Sequence, residues 1–159
     1  MSDDIVILRD GRVEQCGSPS TLYDKPATRF VASFLGESNF IRGNVSKVES
    51  DHFRYTVQDC SFLQAGMPSP KDRDGSVLLA LRPEKISVGS QPSNLPNSVD
   101  GHIADFKYFG STFYVQVATK LFGRIMVKTP AAHAGFHPSM DAQVWLGWTP
   151  DAPVVVRAS

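Results

Sequence analysis

The pattern of hydrophobic and polar positions changes near Phe40. Before that residue, one short apolar run at residues 5–8 is followed by apolar positions at the three-to-four-residue spacing of helices. After it, apolar and polar residues alternate along about six short segments, which is the two-residue period of half-buried strands. The pattern therefore predicts a short mixed segment followed by a small β-barrel or β-sandwich.

The mixed segment reads as a β-hairpin followed by two short helices. Asp10-Gly11 follows the apolar run and is a strong signal for a tight hairpin turn. Capping residues and stop signals then mark both helices: Ser18 and Pro19 at the start of the first, Pro26 after its end, Thr28 at the start of the second and Gly36 at its end.

The alternating segments lie at residues 53–57, 77–81, 113–117, 125–127, 144–148 and 154–156. Stretches rich in glycine, proline and serine separate them, as is typical of small all-β domains. The most linker-like stretch, residues 90–98, is predicted to be a surface loop inside the β-domain.

Composition narrows the classes of function. The 159 residues allow about one domain, and 16 Lys and Arg against 16 Asp and Glu give a formal net charge of zero. Nucleic acids and anionic membranes bind basic protein surfaces, which a chain of balanced charge lacks. Neither is therefore expected as a partner. The acidic start at Asp3 and Asp4 argues against an export signal, and the two cysteines, Cys16 and Cys60, are expected to stay reduced in the cytoplasm.

Several catalytic signatures are missing from the sequence. It contains no Gly-Lys dipeptide, which excludes a phosphate-binding P-loop, and no Gly-x-Ser-x-Gly nucleophile elbow. His133 and His137 have the spacing of two metal ligands on a helix. Gly135 between them and Pro138 after them disfavour that helix, so we predict no metal site.

A few residues stand out as candidates for binding. Arg82 and Glu84 flank Pro83 at the end of a predicted strand, where they either pair within the chain or bind a partner. Trp145 and Trp148 are three apart on a strand, so they should face opposite sides, one in the core and the other in an interface or groove. The aromatic content of 10% also leaves a base-stacking barrel open, although the charge balance argues against it.

The first segment resembles the end of the nucleotide-binding domain of ABC importer ATPase subunits. The resemblance runs without gaps through residues 5–40. The remainder resembles the C-terminal TOBE-type domain of that family, a small β-barrel related to the oligonucleotide/oligosaccharide-binding (OB) fold. The motifs that carry it are Gly43, Leu81-Arg82-Pro83-Glu84, Tyr108-Phe109-Gly110, Tyr114-Val115 and residues 144–148.

The resemblance implies two parts and a regulatory role. Residues 1–38 would be the end of a nucleotide-binding domain, and residues 39–159 a regulatory β-barrel of the TOBE type. The implied function is regulation and dimerisation of the ATP-binding subunit of an importer, with polyamines such as spermidine and putrescine, or a related solute, as cargo. The family's P-loop, signature motif, catalytic glutamate and switch histidine are not in this sequence. This chain alone is therefore expected to hydrolyse no ATP and to hold no cofactor, with ATP and Mg²⁺ belonging to the complete subunit.

The resemblance also implies partners. These are a second copy of the chain, the transmembrane permease subunits at the cytoplasmic face of the inner membrane, and an effector molecule. The candidates for an interface or an effector site are Arg82, Glu84, Tyr108, Trp145 and Trp148. The alternative is a stand-alone barrel that senses a small ligand. If the chain is part of an ATP-binding subunit, the hairpin at residues 5–15 is expected to pack on the β-domain or on a second copy, because an unpartnered apolar hairpin leaves exposed edges.

Overall fold

The computed structural model describes residues 3–68, 75–132 and 136–158. Within these ranges the chain forms twelve strands and two α-helices. The helices are α1 (Pro19–Asp24) and α2 (Arg29–Leu35). The strands are β1 (Ile5–Arg9), β2 (Arg12–Gly17), β3 (Asn39–Val48), β4 (His52–Val57), β5 (Cys60–Ala65), β6 (Ser76–Leu81), β7 (Ser87–Gly89), β8 (Asn97–Phe109), β9 (Thr112–Thr119), β10 (Gly123–Pro130), β11 (Gln143–Trp148) and β12 (Val154–Val156).

Two five-stranded antiparallel sheets form the β-domain, which we define as the described residues from 39 to 158. The first sheet has the order β12-β6-β3-β4-β5, and the second has the order β10-β9-β8-β11-β7. Their inner faces share one hydrophobic core, in which Phe62 stacks on both Tyr55 and Trp148 with ring centroids 5.6 and 5.8 Å apart. The predicted mainly β class, with a preceding hairpin and two helices, is confirmed.

Two buried asparagines connect the sheets. The side chain of Asn39 accepts a hydrogen bond from the Met126 N–H and donates one to the Met126 carbonyl, both 2.8 Å long. Asn97 does the same with Leu63, again at 2.8 Å. A side-chain amide here supplies the donor and the acceptor that a neighbouring strand would provide, so backbone groups at both positions are satisfied where the sheets meet.

Four strands of the β-domain lie outside the predicted set: β3, β5, β7 and β8. The largest difference is β8, whose thirteen residues begin inside the stretch predicted to be a loop, so the loop extends only to Pro96. Small and polar residues in this strand obscure the alternating apolar pattern. At Gly101, a small residue is required by the close approach of β9. A Cβ atom there would lie 2.6 Å from the Ala118 carbonyl oxygen on β9, closer than packing allows.

The N-terminal segment, residues 3–38, has the predicted hairpin and helices. Asp10 and Gly11 form the turn with positive φ angles of 51° and 77°. The hydroxyls of Ser18 and Thr28 cap the two helices, each accepting a hydrogen bond of 3.2 Å from the N–H three residues on. Gly36 ends α2 as predicted, but in an extended conformation with φ of 161° and not in the left-handed one.

The hairpin packs on the two helices of its own segment. Ile7 on β1 lies in a small buried cluster with Leu22 of α1 and Val31 of α2. Of the two packing partners expected for the hairpin, the β-domain is not the one that covers Ile7, because the helices of its own segment provide the apolar cover. Packing of the hairpin on a second copy stays a prediction. The opposite side of the hairpin exposes three apolar side chains: Val6, Leu8 and Val13.

The helices, in turn, join the segment to the β-domain. Ala32 of α2 packs with Leu78 and Ala80 of β6 and Val156 of β12. Two backbone hydrogen bonds reinforce this contact, from the Arg29 N–H to the carbonyl of Arg157 at 2.8 Å and from the Arg157 N–H to the carbonyl of Ala27 at 3.0 Å.

Candidate functional site

Arg82 lies at the junction of the N-terminal segment and the β-domain. It directly follows β6 and precedes a 3₁₀ turn at Pro83–Lys85, and it is only 5% exposed. Its Nη1 donates to the Ala32, Gly36 and Glu37 carbonyls at 2.9, 3.2 and 3.2 Å and to the Ser38 hydroxyl at 2.8 Å, and its Nη2 donates to the Tyr23 carbonyl at 3.1 Å.

The charge of Arg82 is stabilised by main-chain carbonyls and an aromatic ring. The carbonyls at the C-terminal end of α2 carry the partial negative charge of a helix end, which favours a cation there. The Tyr23 ring centroid lies 4.1 Å from the guanidinium carbon, in range of a cation–π contact. A fork of five N–H donors suits this set of acceptors in a way that a lysine ammonium does not.

Glu84 contacts the hydroxyl group of the same tyrosine. Its Oε1 accepts a hydrogen bond from the Tyr23 hydroxyl. Burial, and then the hydrogen bond and negative charge of Glu84, raise the pKa of Tyr23 to about 12. Arg82 and Glu84 therefore both contact the N-terminal segment, which corresponds to the alternative in which they pair within the chain. Tyr23 itself is a member of this cluster that the sequence analysis missed.

The other three candidate residues lie in separate places. Trp148 is 2% exposed in the core, whereas Trp145 is half-buried beside a small recess next to β7, so the prediction of opposite faces is confirmed. Tyr108 is 60% exposed near the β8–β9 turn, with its ring 5.2 Å from that of Phe113. The five candidates thus do not form one site.

A cleft of about 360 Å³ lies between the linker after α2 and the outer face of the second sheet. It falls within the size range of small-molecule sites. Strands β8, β9 and β10 and the linker contribute the lining residues: Glu37, Asp105, Phe106, Lys107, Phe109, Tyr114, Gln116 and Met126. Glu37 also belongs to the junction, because its carbonyl accepts from Arg82.

The remaining candidate chemistry is limited. Cys16 and Cys60 are exposed free thiols. The predicted absence of a metal site at the histidine pair stays a prediction, because His133 and Gly135 lie outside the described residues. Among the residues that the structure describes, no helix is long and apolar enough to cross a membrane.

A match to a known domain family covers much of the β-domain. Residues 79–156 match the TOBE domain. The chain contains a TOBE domain. The matched range includes Arg82, Glu84 and all three strands that line the cleft. It leaves out β3, β4 and β5, although these belong to the same sheet as β6 and β12, so the folded unit is larger than the matched TOBE domain.

The curated relatives of this TOBE-containing chain are transport subunits. The spermidine/putrescine import ATP-binding protein PotA of Thermobifida fusca is 32% identical over 158 residues, which cover 98% of this chain and 41% of the relative. The protein of the same name from Rubrobacter xylanophilus is 36% identical over 116 residues, which cover 70% of this chain and 29% of the relative. The chain thus spans about two-fifths or less of these relatives, and it matches their C-terminal region.

A solved structure resembles the fold around the TOBE domain. The crystal structure of the cytoplasmic molybdate-binding protein ModG with molybdate bound has a TM-score of 0.55 and 12% identity, and it covers 74% of this chain and 94% of that chain. At this identity the likeness concerns the fold alone, and it supports the predicted OB-like barrel.

Proposed function

We propose that this chain is the C-terminal regulatory part of the ATP-binding subunit of an ABC importer for spermidine, putrescine or a related solute. The observation that carries the proposal is the similarity to PotA, which runs through both the N-terminal segment and the TOBE domain and covers 98% of the chain. Residues 1–38 then complete the nucleotide-binding domain of the subunit, and residues 39–159 form its regulatory β-barrel.

The junction at Arg82 provides a physical route for regulation. Its five hydrogen bonds and its stacking on Tyr23 hold both helices of the N-terminal segment against the β-domain. A displacement of these helices would therefore carry the β-domain with it, because separation would break these contacts together. In the complete subunit, such displacements would accompany the binding and hydrolysis of ATP.

Nucleotide binding, dimerisation and contact with the permease subunits are properties of the complete subunit. ATP and Mg²⁺ bind outside this chain, whose sequence has no P-loop. Two copies associate through their β-domains, with exposed aromatic side chains such as Tyr108 at the contact. The permease subunits bind the complete subunit at the cytoplasmic face of the inner membrane.

The experiment is transport by the complete importer, reconstituted in vesicles with its permease subunits. Deletion of residues 39–159 from the complete ATP-binding subunit is expected to leave ATP binding intact and to reduce dimer formation and polyamine uptake. Light scattering of the present chain at high concentration is expected to show a homodimer. Unchanged uptake after the deletion, or saturable Mg-ATP binding by the present chain in calorimetry, would contradict the proposal.

The second candidate function is a ligand-sensing β-domain that acts without the ATPase. The cleft beside the linker favours it, because it is large enough for a small ligand and has both charged and aromatic walls. A thermal-shift screen of the chain against polyamines and oxyanions separates the two candidates, since a ligand of the native state raises the midpoint. A raised midpoint in a chain that stays monomeric would favour the sensor over the dimerising regulatory part.

A further inference from the structure

A second cleft lies at the C-terminal end of α1, between the N-terminal segment and the β-domain. Asp24 and Lys25 line it from the segment, and Gln64, Lys85 and Asp151 line it from the β-domain. We call it the helix-end cleft. Its volume of about 540 Å³ falls within the range of small-molecule sites.

The charged groups of the helix-end cleft are balanced and only partly paired. Its lining has two lysines and two aspartates. In the parts of the chain that the structure describes, neither Lys25 nor Lys85 forms an ion pair. Asp151 Oδ1 accepts a hydrogen bond of 2.5 Å from the Thr149 hydroxyl.

Asp151 and Lys85 interact electrostatically without touching. The hydrogen bond from Thr149, and to a smaller extent the charge of Lys85, lower the pKa of Asp151. The two side chains are therefore near each other in the cleft, yet they lie beyond the distance of a direct ion pair. A ligand that carries both a positive and a negative group fits into such a gap, because each of its charges then meets the opposite one.

Gln64 adds an uncharged polar group that is almost completely buried. The residue is 2% exposed, and its Nε2 donates to the Pro153 carbonyl at 2.7 Å and to the Ala65 carbonyl at 3.4 Å. Its Oε1 accepts no hydrogen bond from any described residue. A buried amide oxygen without a donor is unfavourable, so an N–H group brought by a ligand is favoured here.

The rest of the helix-end cleft is mainly apolar. Met67, Pro153, Val154 and Val155 belong to its lining, and the two valines are half-buried. An aliphatic group on this wall would lose exposed apolar surface together with them. The cleft thus combines charges of both signs, a hydrogen-bond acceptor and an aliphatic wall.

We propose that the helix-end cleft binds a small aliphatic α-amino acid in its zwitterionic form. The carboxylate of the ligand lies between Lys85 and Lys25, and its ammonium group pairs with Asp151. The same ammonium group donates to Gln64 Oε1 once the amide turns toward the cleft, and the aliphatic side chain covers Val155. The balanced charge of the lining favours such a ligand over a simple anion or a simple cation, because either of these leaves one pair of charges unused.

A ligand in this position would strengthen the connection between the two parts of the chain. Lys25 directly follows α1, whereas Lys85 ends the 3₁₀ turn that begins directly after Arg82. A carboxylate held by both lysines therefore adds a contact beside the Arg82 junction. The regulatory meaning of this contact rests on the proposed function, whereas the binding itself does not.

The test is a nuclear magnetic resonance titration of the whole chain with L-leucine. The Met67 methyl signal should shift saturably, and the signal of Met140, which is exposed and outside the cleft lining, should not. Two comparison titrants each lack one charged group of leucine: 4-methylpentanoate has no ammonium and 3-methylbutylamine has no carboxylate. Both should bind about tenfold more weakly than leucine at equal ionic strength, because each loses a charged hydrogen-bonding group.

Substitutions in the cleft should weaken leucine binding. Lys85→Met and Asp151→Asn each remove one charge of an exposed side chain and should weaken it about two- to fivefold. Asparagine keeps an acceptor for the Thr149 hydroxyl, so this variant should fold normally. Gln64→Met removes the amide oxygen at similar side-chain length and should also weaken binding. Because Lys85 and Asp151 are exposed, their variants remain informative even if Gln64→Met folds poorly.

Matched substitutions outside the cleft control for overall charge. Lys47→Met and Glu49→Gln alter a lysine–glutamate pair of 2.8 Å that does not belong to the cleft lining. They change the net charge by the same amounts as Lys85→Met and Asp151→Asn, and they should leave leucine binding unchanged.

The proposal is overturned if leucine does not bind saturably, if either comparison titrant binds as tightly as leucine, or if Lys47→Met weakens binding as much as Lys85→Met. Any of these results would leave the regulatory proposal standing, because that proposal is tested by dimer formation and uptake. Conversely, leucine binding that follows the expected pattern in a subunit whose uptake ignores residues 39–159 would retain the site and reject the regulatory function.

Discussion

The N-terminal segment and the β-domain are stabilised in different ways. In the described parts of the chain, the main core of the β-domain contains twenty buried hydrophobic residues from both sheets, whereas the core of the N-terminal segment contains three. The hairpin also exposes apolar side chains on its outer side, with Val6, Leu8 and Val13 exposed by 53%, 59% and 64%. Apolar burial is thus extensive in the β-domain and small in the segment.

The segment compensates through polar contacts at the junction. Arg82 alone supplies five hydrogen bonds to residues 23–38 from the β-domain side. Hydrogen bonds are directional and short-ranged, so these bonds fix the position of the segment on the β-domain as well as stabilising it. Loss of an apolar residue from the core of the β-domain should therefore unfold the chain, whereas loss of a junction residue should release only the N-terminal segment.

The largest effect is expected from the core of the β-domain. Trp148→Ala removes a side chain that stacks on Phe62 and is 2% exposed, and it should lower the free energy of unfolding by about 3–5 kcal/mol. Urea denaturation followed by circular dichroism measures this loss. Trp145→Ala, on the opposite and half-buried side of the same strand, is the matched control and should cost clearly less. Equal losses would contradict the assignment of the core.

A smaller and local effect is expected at the junction. Arg82→Met keeps an apolar stem but removes all five donors, and it should lower the free energy of unfolding by about 1.5–3 kcal/mol. Hydrogen exchange should accelerate in residues 19–38 and stay slow in β8–β10. Arg124→Met, which removes an exposed arginine with one hydrogen bond of 3.1 Å to Gln116, should leave both regions unchanged. Uniform acceleration across the chain would show that the junction does not separate two units.

The sequence predicts the N-terminal segment better than the β-domain for a physical reason. Turns and helix caps depend on residues within about four positions, such as Ser18 with Thr21 and Thr28 with Val31, so a local pattern contains the information. Strands depend on distant partners. β8 is missing from the predicted strands because its small and polar residues suit the close approach of β9, which a local pattern does not reveal.

The local nature of sequence patterns also explains which site residues could be predicted. Arg82 and Glu84 are recognisable because the Arg-Pro-Glu motif places two charges at the end of a strand. Their common partner, Tyr23, lies 61 positions before Glu84, and no local signal connects them. The cleft draws its residues from a linker and three strands, so it forms only when the fold brings Glu37 beside the second sheet.

The smallest loss of stability is expected from substitution of Tyr23 at the junction. The dependence of this loss on pH identifies the tyrosine hydroxyl as its source. Tyr23→Phe removes one hydrogen bond to Glu84 and should cost about 0.5–1.5 kcal/mol at neutral pH. The pKa of Tyr23 rises in the folded state from 10.0 to about 12, mainly through burial. The folded chain thus favours the neutral hydroxyl. The contribution of this hydroxyl to folding stability is fully present below pH 10 and declines as the pH rises toward 12.

The difference in unfolding free energy between the wild-type chain and Tyr23→Phe should therefore shrink between pH 10 and pH 12. Urea titrations at several pH values measure it, and groups other than Tyr23 cancel because both proteins contain them. Glu84→Gln keeps an acceptor for the hydroxyl but removes the charge, so the pH dependence should become weaker without vanishing, since burial remains the larger cause. A difference that stays constant across this range would mean that the Tyr23 hydroxyl is solvated and that its contact with Glu84 does not stabilise the junction.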